Sequence, residues 1–110
     1  MTPEEFRRLA LEMPGASESS HMRHPDFRVR GKIFATLGYP DKGWGMVKLT
    51  PEQQRAFVQS DGEAFVPVKG AWGEKGSTNV RLSAVKEALL QDAMAAACGN
   101  IPQPAVRKRR

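Results

Sequence analysis

The sequence predicts an α+β domain of two layers, with helices covering one face of a mainly antiparallel sheet. Three observations carry this. Apolar residues recur at helical spacing near both ends of the chain. Stretches with a period of two lie between them. The strands are grouped apart from the helices, which is the α+β pattern and not the strict alternation of a parallel sheet.

Thr2-Pro3-Glu4-Glu5 opens the first helix. Threonine suits the N-cap, proline sits where its missing N–H is not needed, and Glu5 is the reciprocal capping-box partner. Phe6, Leu9, Ala10 and Met13 share one face, and Pro14-Gly15 ends the helix, which places it at residues 3–13. From Ser19 to Leu49 the period is two. Gly31-Lys32 reads as a two-residue hairpin turn with glycine first, so Arg30 opposes Ile33 and Val29 opposes Phe34. Phe27, Val29, Phe34 and Thr36 then share one face, with Arg28 and Arg30 on the other. Asp41-Lys42-Gly43 makes a second turn. Trp44 to Leu49 forms a strand, with Trp44 in the core, so three or four strands precede the second helix.

Thr50-Pro51-Glu52-Gln53 repeats the opening signature and starts a helix to about Gln59, closed by Asp61-Gly62. Ala64 to Val68 reads as a strand, with Pro67 at a sheet edge or strand end. Lys69 to Ser77 holds glycines 70, 73 and 76 around Trp72 and reads as a flexible, exposed loop. Asn79 to Leu82 is the last strand. Ser83 caps a final helix with Val85, Ala88, Leu89, Ala93 and Ala96 on one face and Leu90 and Met94 beside it, and Gly99 stands at its C-cap. Ile101-Pro102-Gln103-Pro104 cannot continue it. Residues 1–100 are therefore read as one domain, and 101–110 as a basic, flexible tail.

A chain of 110 residues with 40% apolar and 26% charged residues is ordinary for one hydrophobic core. It has one cysteine, no basic-then-apolar leader and no apolar run of membrane-spanning length. A cytoplasmic protein without membrane contact is the expectation. The net charge of +5 is uneven, because Arg107, Lys108, Arg109 and Arg110 supply four of it. The sheet regions, 19–48 and 64–82, sum to +6, whereas the helical regions sum to −5. In a two-layer fold this makes one side basic, suited to an anionic surface such as a phosphate backbone. Basic residues on strands and loops also serve solubility and protect sheet edges.

No catalytic constellation converges, so no enzyme activity and no cofactor are expected. His21, His24 and Asp26 lie close in sequence but lack a fourth ligand and match no zinc pattern. Cys98, near the end of an alanine-rich helix, reads as a packing residue. The glycines around Trp72 lack the Gly-Lys-Ser/Thr of a phosphate loop. Trp72 either folds back over the sheet or stacks on a base or partner.

Several stretches, taken in order over about residues 3–98, resemble the MmcQ/YjbR family. They are Pro14-Gly15 after a first helix, then Phe27-Arg28-Val29-Arg30-Gly31-Lys32-Ile33-Phe34-Ala35, then Val47-Lys48-Leu49. Phe65-Val66-Pro67 and the series Trp72-Gly73, Gly76, Thr78, Val80 and Leu82 complete the set. The resemblance implies an α-β(3)-α-β(2)-α fold, close to the secretion-chaperone and CyaY-like arrangements. It also implies the family's DNA-binding label, which rests on the shape of a double wing and so on fold-level analogy. The final helix departs from the family in lacking an aromatic end.

Here the wings correspond to the Arg30-Gly31-Lys32-Ile33 hairpin and the Lys69-to-Ser77 loop. The expected function is weak, sequence-tolerant binding of nucleic acid, DNA first. Arg28, Arg30 and Lys32 would meet phosphates from the hairpin, Lys69 and Lys75 from the loop, and Arg107, Lys108, Arg109 and Arg110 from the tail. Trp72 would be a stacking contact. The alternative is a protein-interaction or chaperone-like module that uses an apolar patch near Ile33, Ala35 and Trp72 on the open sheet face.

Overall fold

The computed structural model describes residues 1–39 and 41–102. Its elements run α1 (Pro3–Leu11), β1 (Ala16–His21), β2 (His24–Val29), β3 (Lys32–Leu37), β4 (Trp44–Lys48), α2 (Pro51–Ser60), β5 (Phe65–Pro67), α3 (Ala71–Glu74), β6 (Ser77–Arg81) and α4 (Glu87–Gly99). The strands form one sheet in the order β1-β2-β3-β4-β6-β5, and every neighbouring pair is antiparallel. The fold is α+β. It carries one strand more ahead of α2 than α-β(3)-α-β(2)-α, and the short α3 lies between β5 and β6.

Both threonine–proline starts act as read. Thr2 and Thr50 accept from the N–H groups of Glu5 and Gln53, each at 3.1 Å. Glu5 and Gln53 accept in return from the capping residues' own N–H, at 2.8 and 3.0 Å. Two N-terminal donors are thereby satisfied in each helix without any tertiary partner.

The core lies between the helices and one face of the sheet. Phe6, Leu9 and Ala10 from α1 and Leu90, Ala93, Met94 and Ala97 from α4 meet Phe27, Phe34, Val47, Phe65 and Val80. α2 buries no residue completely, but its half-buried Phe57 brings its ring to 5.2 Å from that of Phe65. Trp44, Met46, Asn79 and Arg81 are half-exposed, and cross-strand pairing sets Trp44 beside Arg81 and Met46 beside Asn79. Trp44 is therefore not a core residue as expected. The Arg81 guanidinium lies 4.4 Å over its ring, so a cation–π contact takes the place of burial.

The hairpin register differs from the expected one. Val29 pairs with Lys32 and Arg28 with Ile33, so the turn residues are Arg30 and Gly31. Their φ angles are 53° and 79°, as a type I′ turn requires at both central positions. A bulge follows, because Phe27 pairs with Ala35 and leaves Phe34 without a partner on β2. The extra residue lets Phe34 and Ala35 both be fully buried.

Three further boundaries move. α1 ends at Leu11, two residues before the expected end. Ser83 does not cap the last helix, since residues 82–84 form a turn and α4 begins at Glu87. Gly99 is the last helical residue and Asn100 is the C-cap. Among the described residues, no helix is long and apolar enough to cross a membrane.

Candidate nucleic-acid interface

The β2–β3 hairpin, the β4–α2 junction, the C-cap of α3 and the end of α4 meet at one end of the sheet. They enclose an open groove of about 500 Å³. Arg28, Lys32, Lys48 and Lys75 line it together with Thr50 and Asn100, and among the described residues no carboxylate does.

Local sequence places each of these side chains. Lys32 is the first residue of β3, directly after the turn, and Lys48 is the last of β4, just ahead of the Thr50-Pro51 helix start. Asn100 donates to Gln53 Oε1 at 2.8 Å, which joins the end of α4 to the first turn of α2. Thr50 and Pro51 line the groove, so the positive end of the α2 dipole adds to the field of the lysines.

Lys75 owes its place to the glycines beside it. The loop expected to be flexible is a packed turn. Gly73 and Gly76 are buried, and a Cβ on either would collide with backbone, at the Val68 and Leu49 carbonyls respectively. Gln54 Nε2 ties the segment down by donating to the carbonyls of Gly73 and Ser77, each at 3.0 Å. The turn therefore holds Lys75 and Trp72 against the β4–α2 junction.

The expected arginines are engaged within the fold. Arg28 donates from Nε to Asp26 Oδ1 at 2.8 Å and from a terminal nitrogen to Oδ2 at 3.1 Å. Asp26 is 0% exposed, and His21 Nδ1 lies 2.7 Å from the same Oδ2. The Arg28 hydrogen bonds hold the Asp26 carboxyl below the usual aspartate value; burial opposes them and His21 adds to them. The Arg28 pKa is raised in turn by Asp26. Arg30 points back across the fold and donates to the carbonyls of Ile101 and Pro102, at 2.8 and 2.9 Å. That contact supplies a reason for its left-handed backbone, which an arginine rarely adopts. Replacing Arg30 with alanine removes two charge-assisted hydrogen bonds while leaving the strained turn. The expected loss is about 1 to 2 kcal/mol in urea unfolding, moderated by exposure.

The lysines differ from the arginines: among the described residues none lies within ion-pair distance of a carboxylate. Lys69 is exposed but does not line the groove. Trp72 is 63% exposed, and the Lys48 ammonium sits 5.6 Å from its ring centroid. Arg107, Lys108, Arg109 and Arg110 lie outside the described residues. The groove thus unites Lys32 and Lys75 with Arg28, and it adds Lys48 and Asn100, which sequence reasoning does not single out. The signal for Lys48 is its position at a strand end directly before a helix start. Asn100 carries no signal, because its partners are distant in the chain.

The other expected features resolve as follows. Ala35 is fully buried and Ile33 half-buried, so the apolar patch expected at Ile33, Ala35 and Trp72 does not form. No cluster of three metal-ligating side chains occurs among the described residues. The His24 ring instead meets Tyr39 edge-on at 5.6 Å. Burial pushes the Cys98 thiol up, against a smaller pull from Arg30, which is the reverse of an activated nucleophile.

A family model described as YjbR matches residues 11–97. The crystal structure of Deinococcus radiodurans protein DR2400, which carries a DUF419 domain, superposes with a TM-score of 0.71 at 17% identity, covering 88% of this chain and 75% of that one. At that identity the likeness speaks to the fold. No curated protein sequence matches.

Proposed function

This chain belongs to the YjbR family, and we propose that its basic groove binds nucleic acid through the phosphate backbone. One observation carries the reading: Lys32, Lys48 and Lys75, which have no carboxylate partner among the described residues, line one groove with Arg28 and, among those residues, no acidic side chain. Such a groove attracts a polyanion by counterion release, whatever the base sequence. The contacts position a strand and do not specify its sequence. The basic residues 107–110 follow a few positions after Pro102, which itself lines the groove, and they add to the same attraction. On this reading the protein is a cytoplasmic binding module, requiring no cofactor and performing no chemistry.

Binding of a labelled DNA 20-mer by the full chain, measured at several salt concentrations, tests this. The groove lysines contribute a slope of about −2 in log K against log salt, from about 0.7 per phosphate on a single strand. The tail adds to it. Neutralising the tail (Arg107→Gln, Lys108→Gln, Arg109→Gln and Arg110→Gln together) leaves the groove's share. Adding Lys48→Ala and Lys75→Ala then lowers affinity about tenfold at low salt. The proposal fails if the chain does not bind at low salt. It also fails if tail neutralisation alone abolishes binding, or if the lysine changes leave the slope untouched.

A further inference from the structure

We infer that the groove takes an unpaired nucleic-acid strand, with a base stacked on the indole of Trp72 at its rim. This rests on the backbone-binding reading above and deepens it by naming the ligand class. The first observation is the state of Trp72. Burial is the usual means of stabilising so large an aromatic side chain. Here the ring is 63% exposed, although the turn that carries it is held by Gly73, Gly76 and Gln54. A rigid turn that presents an aromatic face to solvent is a preformed surface for stacking.

Position supplies the second observation. Lys48 lines the groove and also lies 5.6 Å from the indole centroid. Lys75, three residues beyond Trp72, lines the groove as well. The ring therefore borders the cationic surface that would hold the backbone. Cations that track phosphates beside an aromatic platform for bases are the arrangement that binds single strands without sequence preference.

The structure also argues against a duplex. Within a double helix base faces are covered by their neighbours, and only edges are offered in the grooves. An indole face has nothing to stack on except at an end or in an unpaired region. Reading a major groove takes an inserted helix or a two-stranded ribbon with free side chains. α3 has only four residues, and the one arginine at the hairpin tip is turned back onto the Ile101 and Pro102 carbonyls.

The test compares a thymidine 20-mer, a uridine 20-mer and a 20-base-pair duplex, each binding the full chain at fixed low salt. The unpaired strands are expected to bind more tightly than the duplex. Trp72→Ala weakens unpaired-strand binding about 5- to 150-fold and leaves duplex binding unchanged, whereas Trp72→Phe retains part of the difference. Unaltered thermal melting of the variants confirms that the exposed position is not structural. Lys48→Ala with Lys75→Ala weakens all three ligands. The uridine arm reads the sugar preference, and dependence on Trp72 with either unpaired strand supports the inference. Duplex binding equal to or tighter than single-strand binding, or a Trp72→Ala effect equal on every ligand, overturns the inference while leaving the backbone reading intact. Failure of all three ligands to bind overturns both.

Discussion

Gly76→Ala will destabilise the domain by about 4 kcal/mol, a large effect from a residue next to the groove-lining Lys75. Two costs add. Gly76 has φ of +114°, a conformation that L side chains rarely adopt, and holding an alanine there costs about 1 to 3 kcal/mol. The new Cβ would also collide with the carbonyl of Leu49 and press on the Thr50 carbon 2.8 Å away. Both neighbours are backbone and cannot rotate aside, so the β4–α2 junction must move, at a further cost of about 1 to 3 kcal/mol. A domain of this size loses roughly 4 to 8 °C in Tm per kcal/mol, so a drop of about 15 to 30 °C in thermal melting is expected. Gly70→Ala is the matched control. It has φ of +82°, but a methyl group there would meet no heavy atom within 4 Å. With ψ of −155° it carries backbone strain without collision and should cost about 1 to 3 kcal/mol, less than Gly76→Ala by the collision alone. Equal losses at the two positions would show that the close approach to Leu49 is unimportant.

These glycines also show where sequence reasoning stops. A run of Gly70, Gly73 and Gly76 reads as flexibility, because composition cannot distinguish a glycine needed for motion from one needed for contact. Here Gly73 and Gly76 are buried against carbonyls from other parts of the chain. What is legible is local. The two Thr-Pro-Glu-Glu/Gln starts carry their hydrogen-bond partners within four residues, and both capping boxes form. Pro67 reads as an edge residue because it cannot donate to a ladder, and β5 is an edge strand. The turn at Arg30-Gly31 lies one residue from where glycine alone would put it. A left-handed arginine is unfavourable locally, and it is held by carbonyls 71 and 72 residues away. β1 has no readable bounds, although the strand count of three or four allows for it, because Ala-Ser-Glu-Ser-Ser-His has no apolar alternation, as suits an exposed edge. The regional charge tally does point to the basic hairpin and loop. It cannot reveal that Asp26 already matches Arg28, nor that Lys48 joins Lys32 and Lys75.

That match gives the second large effect, which has opposite signs for stability and for binding. Asp26→Asn removes a fully buried carboxylate that accepts two hydrogen bonds from Arg28 and faces His21. The amide keeps the shape but places a donor where acceptors are needed, and about 2 to 3 kcal/mol of stability at neutral pH is the expected loss. Arg28 bonding, the largest cause, lowers the folded-state pKa of Asp26 below its unfolded value. Its contribution is therefore complete above the unfolded value, near pH 4, and disappears as pH falls through the folded one. Urea unfolding should accordingly show the native chain approaching the variant as pH drops below about 4. A smaller acid dependence will remain in the variant, since Glu5 is also lowered by its Thr2 backbone hydrogen bond. A difference between the two proteins that stays constant with pH would refute a role for the Asp26 charge. Binding should move the other way. Without the carboxylate, the Arg28 guanidinium stays charged at the groove wall with no anion to match it. One more phosphate contact becomes available, and affinity for DNA at low salt should rise about fivefold. A variant that is less stable yet binds more tightly would separate the fold's use of Arg28 from the groove's, because general unfolding can only weaken binding.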